Sequence, residues 1–301
     1  TIVVPAGSHS RVKFGASKLS EALTGAGIKA NIVEQNQFPK GKSTIAVGLA
    51  ASSFIQKALQ ANGLKLASTS GKEGFSILSS KNTVVAGNDD SGVLYGCLEL
   101  ADRIKAEGKL PANLNINDKP EMVLRGTCIG MQKPYYLPGR TVYEYAYTPE
   151  LFPWFYDREH WIKYLDMMVE NRYNSLYLWN GHPFASLVKL KDYPYALEVD
   201  EATFKKNEEM FRFLTEEADK RGIWVIQMFY NIIVSKPFAE KHGIATQDRN
   251  RPITPLLSDY TRKSIAAFVE KYPNVGLLVT LGEAMEGVGQ DDVDWFTKTI
   301  I

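Results

Sequence analysis

Cysteine is nearly absent from this sequence, which has two in 301 residues. Cys97 and Cys128 lie far apart and form no C-x-x-C pair. A structural zinc site or a disulfide framework needs cysteines at close, repeated spacing, so we expect neither. The two thiols leave the redox compartment open.

An excess of charge of one sign is also lacking. Lys and Arg total 35 against 34 Asp and Glu, and the net charge of +1 gives no reason to expect binding to nucleic acid or to an anionic membrane. The longest apolar stretch, residues 222–234, is too short to span a bilayer and contains Gln227. No basic segment followed by an apolar one opens the chain, so an export signal has been removed or never existed.

Residues 1–117 alternate short apolar strands with amphipathic helices. Helices are predicted at 10–24, 52–61 and 93–106, the second closed by Asn62-Gly63 as a left-handed cap, and the strands at 74–79 and 82–86 read as a hairpin. The turn-forming residues 111–120 predict a linker. We therefore expect an α/β domain at 1–118 and a second domain at 119–301.

A glycine-rich turn, residues 87–92, precedes the third helix and could cradle a phosphate. It lacks the Lys-Ser/Thr of a P-loop and the G-x-G-x-x-G spacing, and its two aspartates would repel an anion. We favour a helix cap formed by Asp90 or Ser91. The sequence therefore predicts no cofactor.

Residues 119–301 repeat the order of apolar strand, polar loop and helix, with strands predicted at 122–127, 175–179, 223–229 and 276–281. The predicted fold class is α/β, a small N-terminal α/β domain followed by the first half, about four βα units, of a TIM-type (β/α)8 barrel. A complete barrel needs roughly 250 residues. Because a half barrel leaves apolar strand edges open, we expect the natural protein to continue or a second segment to complete the fold.

The strongest catalytic candidate is Glu283. It follows the apolar run 276–281, which predicts a strand buried on both faces, and the break at Gly282. Catalytic groups of a barrel collect at the C-terminal ends of its strands, where desolvation favours the neutral carboxylic acid. Glu286 is a further candidate to contact substrate, although we favour simple exposure for it.

Polar and aromatic side chains also follow the second and third barrel strands: Trp179, Asn180, His182, Tyr230 and Asn231. All five are candidates to bind substrate, and Trp179 and Tyr230 could stack on a sugar ring. His182 could contact substrate or transfer protons, or it could be an ordinary surface histidine. Since no second histidine or carboxylate lies at ligand spacing, we expect no metal.

The connection 232–257 is long for a βα loop and carries three cations, Lys236, Arg249 and Arg251. They could meet a substrate carboxylate, although we favour a solvated, charged loop.

Eleven aromatic residues lie between positions 135 and 164, where the average content of the chain predicts about three. They are Tyr135, Tyr136, Tyr143, Tyr145, Tyr147, Phe152, Trp154, Phe155, Tyr156, Trp161 and Tyr164. They either form a small core of their own or supply stacking platforms for sugar rings, and for most of them we favour the core.

Residues 84–96, Val-Val-Ala-Gly-Asn-Asp-Asp-Ser-Gly-Val-Leu-Tyr-Gly, carry a further signal. Together with the order of elements, they resemble the small α/β domain that precedes the barrel in family 20 and family 84 hexosaminidases and in family 67 and family 115 alpha-glucuronidases. In those families a G-x-x-x-x-G-x-x-Y-G stretch begins the last helix of the domain. The resemblance covers the N-terminal domain well and the remainder by its layout.

The resemblance implies roles for two residues. Arg125-Gly126 looks like the start of the barrel, where the arginine would hold a sugar hydroxyl or carboxylate; an ion pair that braces a loop is the alternative. Glu283 looks like the general acid after strand four. The hexosaminidases carry two adjacent acids there, whereas Gly282 precedes Glu283. The lone glutamate is closer to the alpha-glucuronidase pattern, in which the second carboxylate comes from a later strand.

Two classes of function remain. The first is a glycoside hydrolase acting on a complex polysaccharide or oligosaccharide that could bear uronic acid. The second is a non-catalytic carbohydrate-binding protein on the same fold, in which Glu283 bonds a hydroxyl. Either would be exported, to the periplasm, the cell surface or the medium, and the sequence leaves its oligomeric state open.

Overall fold

The computed structural model describes residues 1–39, 43–67, 71–138, 145–230, 233–280 and 289–300, apart from the side chains of residues 291, 292 and 298. The chain forms two compact units. The first comprises Thr1–Arg125, Val169–Arg172 and Asp219–Gly222, and the second comprises Gly126–Met168, Tyr173–Ala218 and Ile223–Ile301. A domain boundary near Asp118 stays a prediction.

The first unit is built on a mixed sheet of six strands in the order β2-β1-β3-β5-β4-β6. Its strands are β1 (Ile2–Val4), β2 (Ile32–Glu34), β3 (Ile45–Leu49), β4 (Phe75–Ser79), β5 (Thr83–Gly87) and β6 (Asn115–Asp118). Strands β1, β2, β3 and β5 run parallel, and β4 runs antiparallel to β5 and β6. Strands β1, β4 and β5 are buried at every position, as expected for strands that are covered on both faces.

Three helices cover this sheet: α1 (Ser10–Gly25), α2 (Ser53–Asn62) and α3 (Asp90–Glu107). Ser52 caps α2 by accepting a hydrogen bond from the N–H of Ile55, and Gly63 ends it in the left-handed conformation at φ 65°. The left-handed cap that was predicted at Asn62-Gly63 is therefore confirmed. The apolar side of α2 packs into a core cluster with residues of the sheet, namely Val3, Ala46, Leu78, Val84 and Ala86.

The three glycines of the 84–96 motif lie where the backbone of α3 approaches the sheet. A Cβ atom on Gly87 would lie 2.1 Å from the backbone nitrogen of Val93, and one on Gly92 would lie 2.3 Å from the carbonyl oxygen of Gly74. At Gly96 the added atom would be 2.8 Å from a side chain of β5. The glycine spacing of the motif is thus a packing requirement of this unit.

The cap of α3 corrects a prediction. Asp89, and not Asp90 or Ser91, is the N-cap residue, with its Oδ1 accepting from the N–H of Gly92 at 2.8 Å. Its other oxygen, Oδ2, accepts from the N–H of Glu73, also at 2.8 Å. The second bond comes from a distant segment and selects Asp89 among three residues with similar capping propensity.

Part of the predicted linker is also structured. Residues 115–118 form the edge strand β6, which pairs antiparallel with β4, although they lie within the turn-rich segment 111–120.

The second unit contains four parallel strands in the order β10-β9-β8-β7. They are β7 (Gly126–Gly130), β8 (Ser175–Trp179), β9 (Trp224–Tyr230) and β10 (Val275–Thr280). Helices α4 (Arg158–Glu170), α5 (Phe184–Leu187), α6 (Glu201–Lys220), α7 (Lys236–His242), α8 (Pro255–Lys271) and α9 (Gln290–Thr299) accompany them, with 3₁₀ turns at Pro153–Tyr156 and Pro194–Ala196. The alternation of parallel strands with helices confirms the predicted fold class.

Two strand predictions need correction. The first strand begins at Gly126, not at Met122, and Val123 before it is 82% exposed. Pairing with β8 begins at Gly126, where glycine is required because a Cβ atom would lie 2.0 Å from the carbonyl oxygen of Ser175. Strand β10 is not buried on both faces: it is an edge strand among the described residues, and Leu278 is 41% exposed.

Several of the described aromatic residues between 135 and 164 form a core in the second unit, whereas Tyr143 lies outside the described residues. Tyr147, Phe152, Phe155 and Trp161 are buried, and the ring centroids of Tyr147 and Phe155 lie 5.1 Å apart. The indole of Trp161 donates to the carbonyl of Phe155 at 2.8 Å. This confirms the core interpretation for these four residues.

Candidate functional site

The C-terminal ends of the four parallel strands define the candidate site, because parallel strands direct their ends to one edge of the sheet. The strands end at Gly130, Trp179, Tyr230 and Thr280. Three predicted site residues, Asn231, Glu283 and Glu286, lie outside the described residues. In the sequence, Glu283 stands three positions beyond the end of β10.

Trp179 and Tyr230 come together at this edge. The register pairs Trp179 with Met228, so Trp179 and Tyr230 point to the same face of the sheet. Their ring centroids lie 6.1 Å apart at an interplanar angle of 47°, and both side chains are partly exposed. The Nε1 atom of Trp179 is buried and has no hydrogen-bond partner among the described residues. The pair offers two aromatic faces to a ligand.

Asn180 is directed into the protein. Its side chain is 2% exposed, and its Nδ2 donates to the carbonyl oxygens of Met131 at 3.2 Å and Tyr145 at 2.9 Å. Its Oδ1 accepts from the N–H of His182 at 2.9 Å. Contrary to expectation, the Asn180 amide is used to hold the loops after β7 and β8 together, so it positions the site instead of facing a ligand.

His182 is partly buried against aromatic rings. Its Nε2 lies 2.7 Å from the hydroxyl oxygen of Tyr260, and its ring centroid lies 5.7 Å from that of Phe184. Burial, and secondly the positive charge of Arg251, lower the pKa of His182 to about 3. Both effects favour the neutral imidazole, and one of its ring nitrogens is engaged by Tyr260.

The three loop cations have different surroundings. Lys236 is exposed and lies 3.8 Å from Glu240 on α7, and Arg249 is also exposed. Arg251 is partly buried, and its Nη2 donates to the carbonyl oxygens of Ala245 at 2.8 Å and Thr246 at 3.2 Å. Burial lowers the pKa of Arg251. The solvated-loop interpretation fits the first two cations, whereas Arg251 is a desolvated cation whose charge reaches His182.

Arg125 does not join this group. It precedes β7, at the opposite end from the strand C-termini, and belongs to the first unit. Its Nη2 lies 2.7 Å from Glu73 and 3.1 Å from the hydroxyl of Tyr95, and its Nε donates to the carbonyl of Arg172 at 2.8 Å. Since these groups occupy the guanidinium, the bracing ion pair describes Arg125, and the expected contact with a sugar is not supported.

Sequence reasoning missed Tyr260. This residue lies on α8 and is buried. Its position looks like an ordinary core position of a helix, and only the packing of α8 brings its hydroxyl oxygen to within 2.7 Å of the His182 Nε2 atom.

Within the described ranges, no group of three His, Cys, Asp or Glu side chains could hold a metal ion, and none of the helices is long and apolar enough to cross a membrane. Both cysteines are free, Cys97 in the core of the first unit and Cys128 on β7.

Solved structures similar to this chain are glycoside hydrolases. A GH138 enzyme targeting pectin rhamnogalacturonan II matches 99% of the chain at 60% identity with a TM-score of 0.85. The GH20 β-N-acetylhexosaminidase of Streptomyces coelicolor A3(2) matches 100% of the chain at 15% identity with a TM-score of 0.56. A GH84 structure matches 99% of the chain at 13% identity with a TM-score of 0.58. At these identities the GH20 and GH84 structures show a shared fold alone. The shared fold confirms the resemblance to families 20 and 84 that was drawn from residues 84–96.

This chain covers 32% of the GH138 enzyme, 59% of the GH20 enzyme and 44% of the GH84 structure. It therefore spans about a third of the length of the GH138 enzyme. Comparisons with protein-family models and with curated proteins give no match.

Proposed function

We propose that this protein is a glycoside hydrolase acting on a complex polysaccharide that bears uronic acid, with Glu283 as the general acid. The observation that carries the proposal is the 60% identity to a GH138 enzyme targeting pectin rhamnogalacturonan II, which extends over 99% of this chain. Pectin is rich in uronic acids. Sequence identity at this level along both units favours a related substrate in addition to a shared fold.

The chemistry agrees with the residues at the strand ends. Hydrolysis of a glycosidic bond needs a carboxylic acid that protonates the leaving oxygen and a second carboxylate on the other side of the sugar ring. Glu283 follows the fourth parallel strand and supplies the first group. We expect the second carboxylate on a later strand of the barrel. Trp179 and Tyr230 would receive the apolar face of a sugar ring, and Arg251 would offset the charge of a uronate.

The complete protein tests the proposal directly. We expect it to release sugar from rhamnogalacturonan II and to act less on a neutral polysaccharide such as a β-glucan. Release is measured by chromatography of the products. Binding of the glycan without any hydrolysis would instead support the carbohydrate-binding alternative, and absence of both would contradict the proposal.

The stacking role of Trp179 and Tyr230 gives one prediction. Replacing either ring by alanine should weaken affinity for an oligosaccharide about three- to tenfold, because an aromatic contact contributes roughly 0.5–1.5 kcal/mol. Titration calorimetry measures the change. Tyr230→Phe is the matched control, since it keeps the ring and should keep most of the affinity. Unchanged affinity in both alanine variants would contradict stacking at these positions.

The role of Arg251 gives a second prediction. Arg251→Gln should lower affinity for an acidic oligosaccharide about 10- to 100-fold, since a hydrogen bond to a charged group contributes roughly 1.5–3 kcal/mol. A carboxyl-reduced form of the same oligosaccharide should bind the variant and the wild type alike. Arg249→Gln, an exposed arginine on the same loop, serves as the control. An equal loss for both oligosaccharides would show that Arg251 supports the loop and does not read the carboxylate.

A further inference from the structure

The strand β7 has one face against a helix and one open face. The Thr127 Oγ1 atom lies 2.7 Å from the hydroxyl oxygen of Tyr164 on α4, so Thr127 faces this helix. Successive side chains of a strand point to opposite faces, which directs positions 126, 128 and 130 away from α4. These three positions are the exposed ones of the strand. Gly130 pairs in register with Trp179, so the open face of β7 continues into the face that carries the Trp179 ring.

The alternation of faces continues beyond the end of β7. Met131 is 0% exposed, its N–H donates to the carbonyl of Trp179 at 2.7 Å, and its carbonyl accepts from the Nδ2 of Asn180 at 3.2 Å. These two hydrogen bonds fix the backbone directly before Gln132. Because Met131 is directed inward, Gln132 projects on the open face, where it is only partly buried.

The side chain of Gln132 lies over Gly130. A Cβ atom on Gly130 would point to the open face and would lie 3.1 Å from the Cγ and 3.3 Å from the Nε2 of Gln132. Glycine at this position therefore leaves the space that the amide occupies. Neighbouring strands lie about 4.8 Å apart, so the amide is roughly one strand spacing from the position of Trp179. The amide and the Trp179 ring thus share one edge of the candidate site.

The amide of Gln132 is suited to a sugar hydroxyl. It offers two N–H donors and one oxygen acceptor, and a hydroxyl likewise both donates and accepts. It makes no hydrogen bond with the residues that the structure describes. A sugar whose apolar face rests on an aromatic ring directs its equatorial hydroxyls outward, toward groups beside that ring. Since the amide carries no charge, it matches a hydroxyl better than a uronate carboxylate.

We propose that Gln132 is a substrate-binding residue that forms a hydrogen bond with a hydroxyl of the sugar stacked on Trp179, and that Gly130 is a positioning residue that leaves room for its amide. The inference rests on the proposed function for its ligand. It gives the first barrel strand a contact with a neutral part of the sugar, separate from the carboxylate contact proposed for Arg251.

Affinity for a rhamnogalacturonan II oligosaccharide tests the contact. It is measured by calorimetry on the complete protein in a Glu283→Gln background, which keeps the oligosaccharide intact. Gln132→Ala should lower this affinity about two- to tenfold, the loss expected for one neutral hydrogen bond. Gln56→Ala is the matched control, because Gln56 is an exposed glutamine of the first unit that donates to the carbonyl of Ala50, and it should leave affinity unchanged. Unchanged affinity in Gln132→Ala would overturn the proposal.

A series of monodeoxy oligosaccharides separates a direct contact of Gln132 from a structural effect. Each analogue lacks one hydroxyl of the stacked sugar. One analogue should bind the protein that keeps Gln132 about two- to tenfold more weakly than the full oligosaccharide does. The Gln132→Ala variant should bind this analogue and the full oligosaccharide equally, because the partner of the hydroxyl is already gone. Losses that add for every analogue would show that Gln132 contacts no hydroxyl and would overturn the proposal.

Gly130→Ala tests the positioning role. Gly130 is not at a positive φ, so alanine introduces no backbone strain, whereas its methyl group presses on the side chain of Gln132. Affinity should fall as in Gln132→Ala, and the double variant should bind no more weakly than either single variant. Circular dichroism checks that each variant is folded. Unchanged affinity in folded Gly130→Ala, or additive losses in the double variant, would overturn the role of Gly130.

Failure of this inference and failure of the proposed function give different results. If the complete protein releases sugar from rhamnogalacturonan II while Gln132→Ala binds the oligosaccharide normally, only the role of Gln132 is overturned. If the complete protein neither binds nor cleaves any glycan, the proposed function is overturned, and the sugar contact of Gln132 with it.

Discussion

Glu283→Gln is expected to lower turnover of a natural glycan by about 10²- to 10⁴-fold in the complete protein, with substrate affinity close to that of the wild type. Glutamine keeps the shape and the hydrogen-bonding reach of glutamate but has no proton to give. The leaving sugar of a natural linkage is a poor leaving group, so bond cleavage depends on that proton. Steady-state kinetics give turnover, and calorimetry on the inactive variant gives affinity.

The leaving group provides an internal control for this variant. An aryl glycoside with an activated phenol hardly needs protonation and should slow far less than the natural linkage. Glu270→Gln, which alters an exposed carboxylate at the end of α8, should leave both rates unchanged. If Glu283→Gln slowed both substrates equally, or neither, Glu283 would not be the general acid.

Gly87→Ala is expected to destabilise the first unit by about 3 kcal/mol or more, at the upper end of the cost of overpacking. The new methyl group would lie 2.1 Å from the backbone nitrogen of Val93 and 2.6 Å from the carbonyl carbon of Gly92. Both atoms belong to the backbone of α3, so no side-chain rotation can relieve the contact. The start of the helix would have to move away from β5. Urea denaturation measures the loss.

Gly25→Ala is the matched control for Gly87→Ala. Gly25 lies in the last turn of α1, and a Cβ atom there would have nothing within 4 Å. Alanine also favours the helix over glycine by roughly 0.5–1 kcal/mol, so stability should stay equal or rise slightly. Equal stabilities for the two variants would show that the close approach at Gly87 is relieved at little cost.

Features that depend on neighbouring residues could be predicted from the sequence. The β4–β5 hairpin and the Gly63 cap were correct because turn and cap preferences act within a few residues. The start of α3 was wrong by one or two positions, because Asp89, Asp90 and Ser91 all make good caps. The choice among them comes from the N–H of Glu73, which the local sequence does not reveal.

The arrangement of the candidate site depends more on contacts between residues that are far apart in the sequence. The sequence pointed to Trp179 and His182 because both follow the end of an apolar strand. It could not show that Asn180 between them turns inward, since the carbonyls it bonds belong to another loop. Tyr260 has the spacing of an ordinary helix core residue, and its role at His182 depends on how α8 packs.

The bridge that Asn180 forms between Met131 and Tyr145 bears on how the substrate range of this protein could be changed. The two carbonyls it holds lie near the beginning and the end of one connecting segment, and the N–H of Met131 is also fixed, by the carbonyl of Trp179 at 2.7 Å. Because both anchors are held by groups that follow β8, substitutions between them can alter the surface offered to a glycan while Met131 and Tyr145 stay in place. The segment between the anchors is therefore a suitable place for side-chain substitutions that change the substrate range, provided that Asn180 is kept.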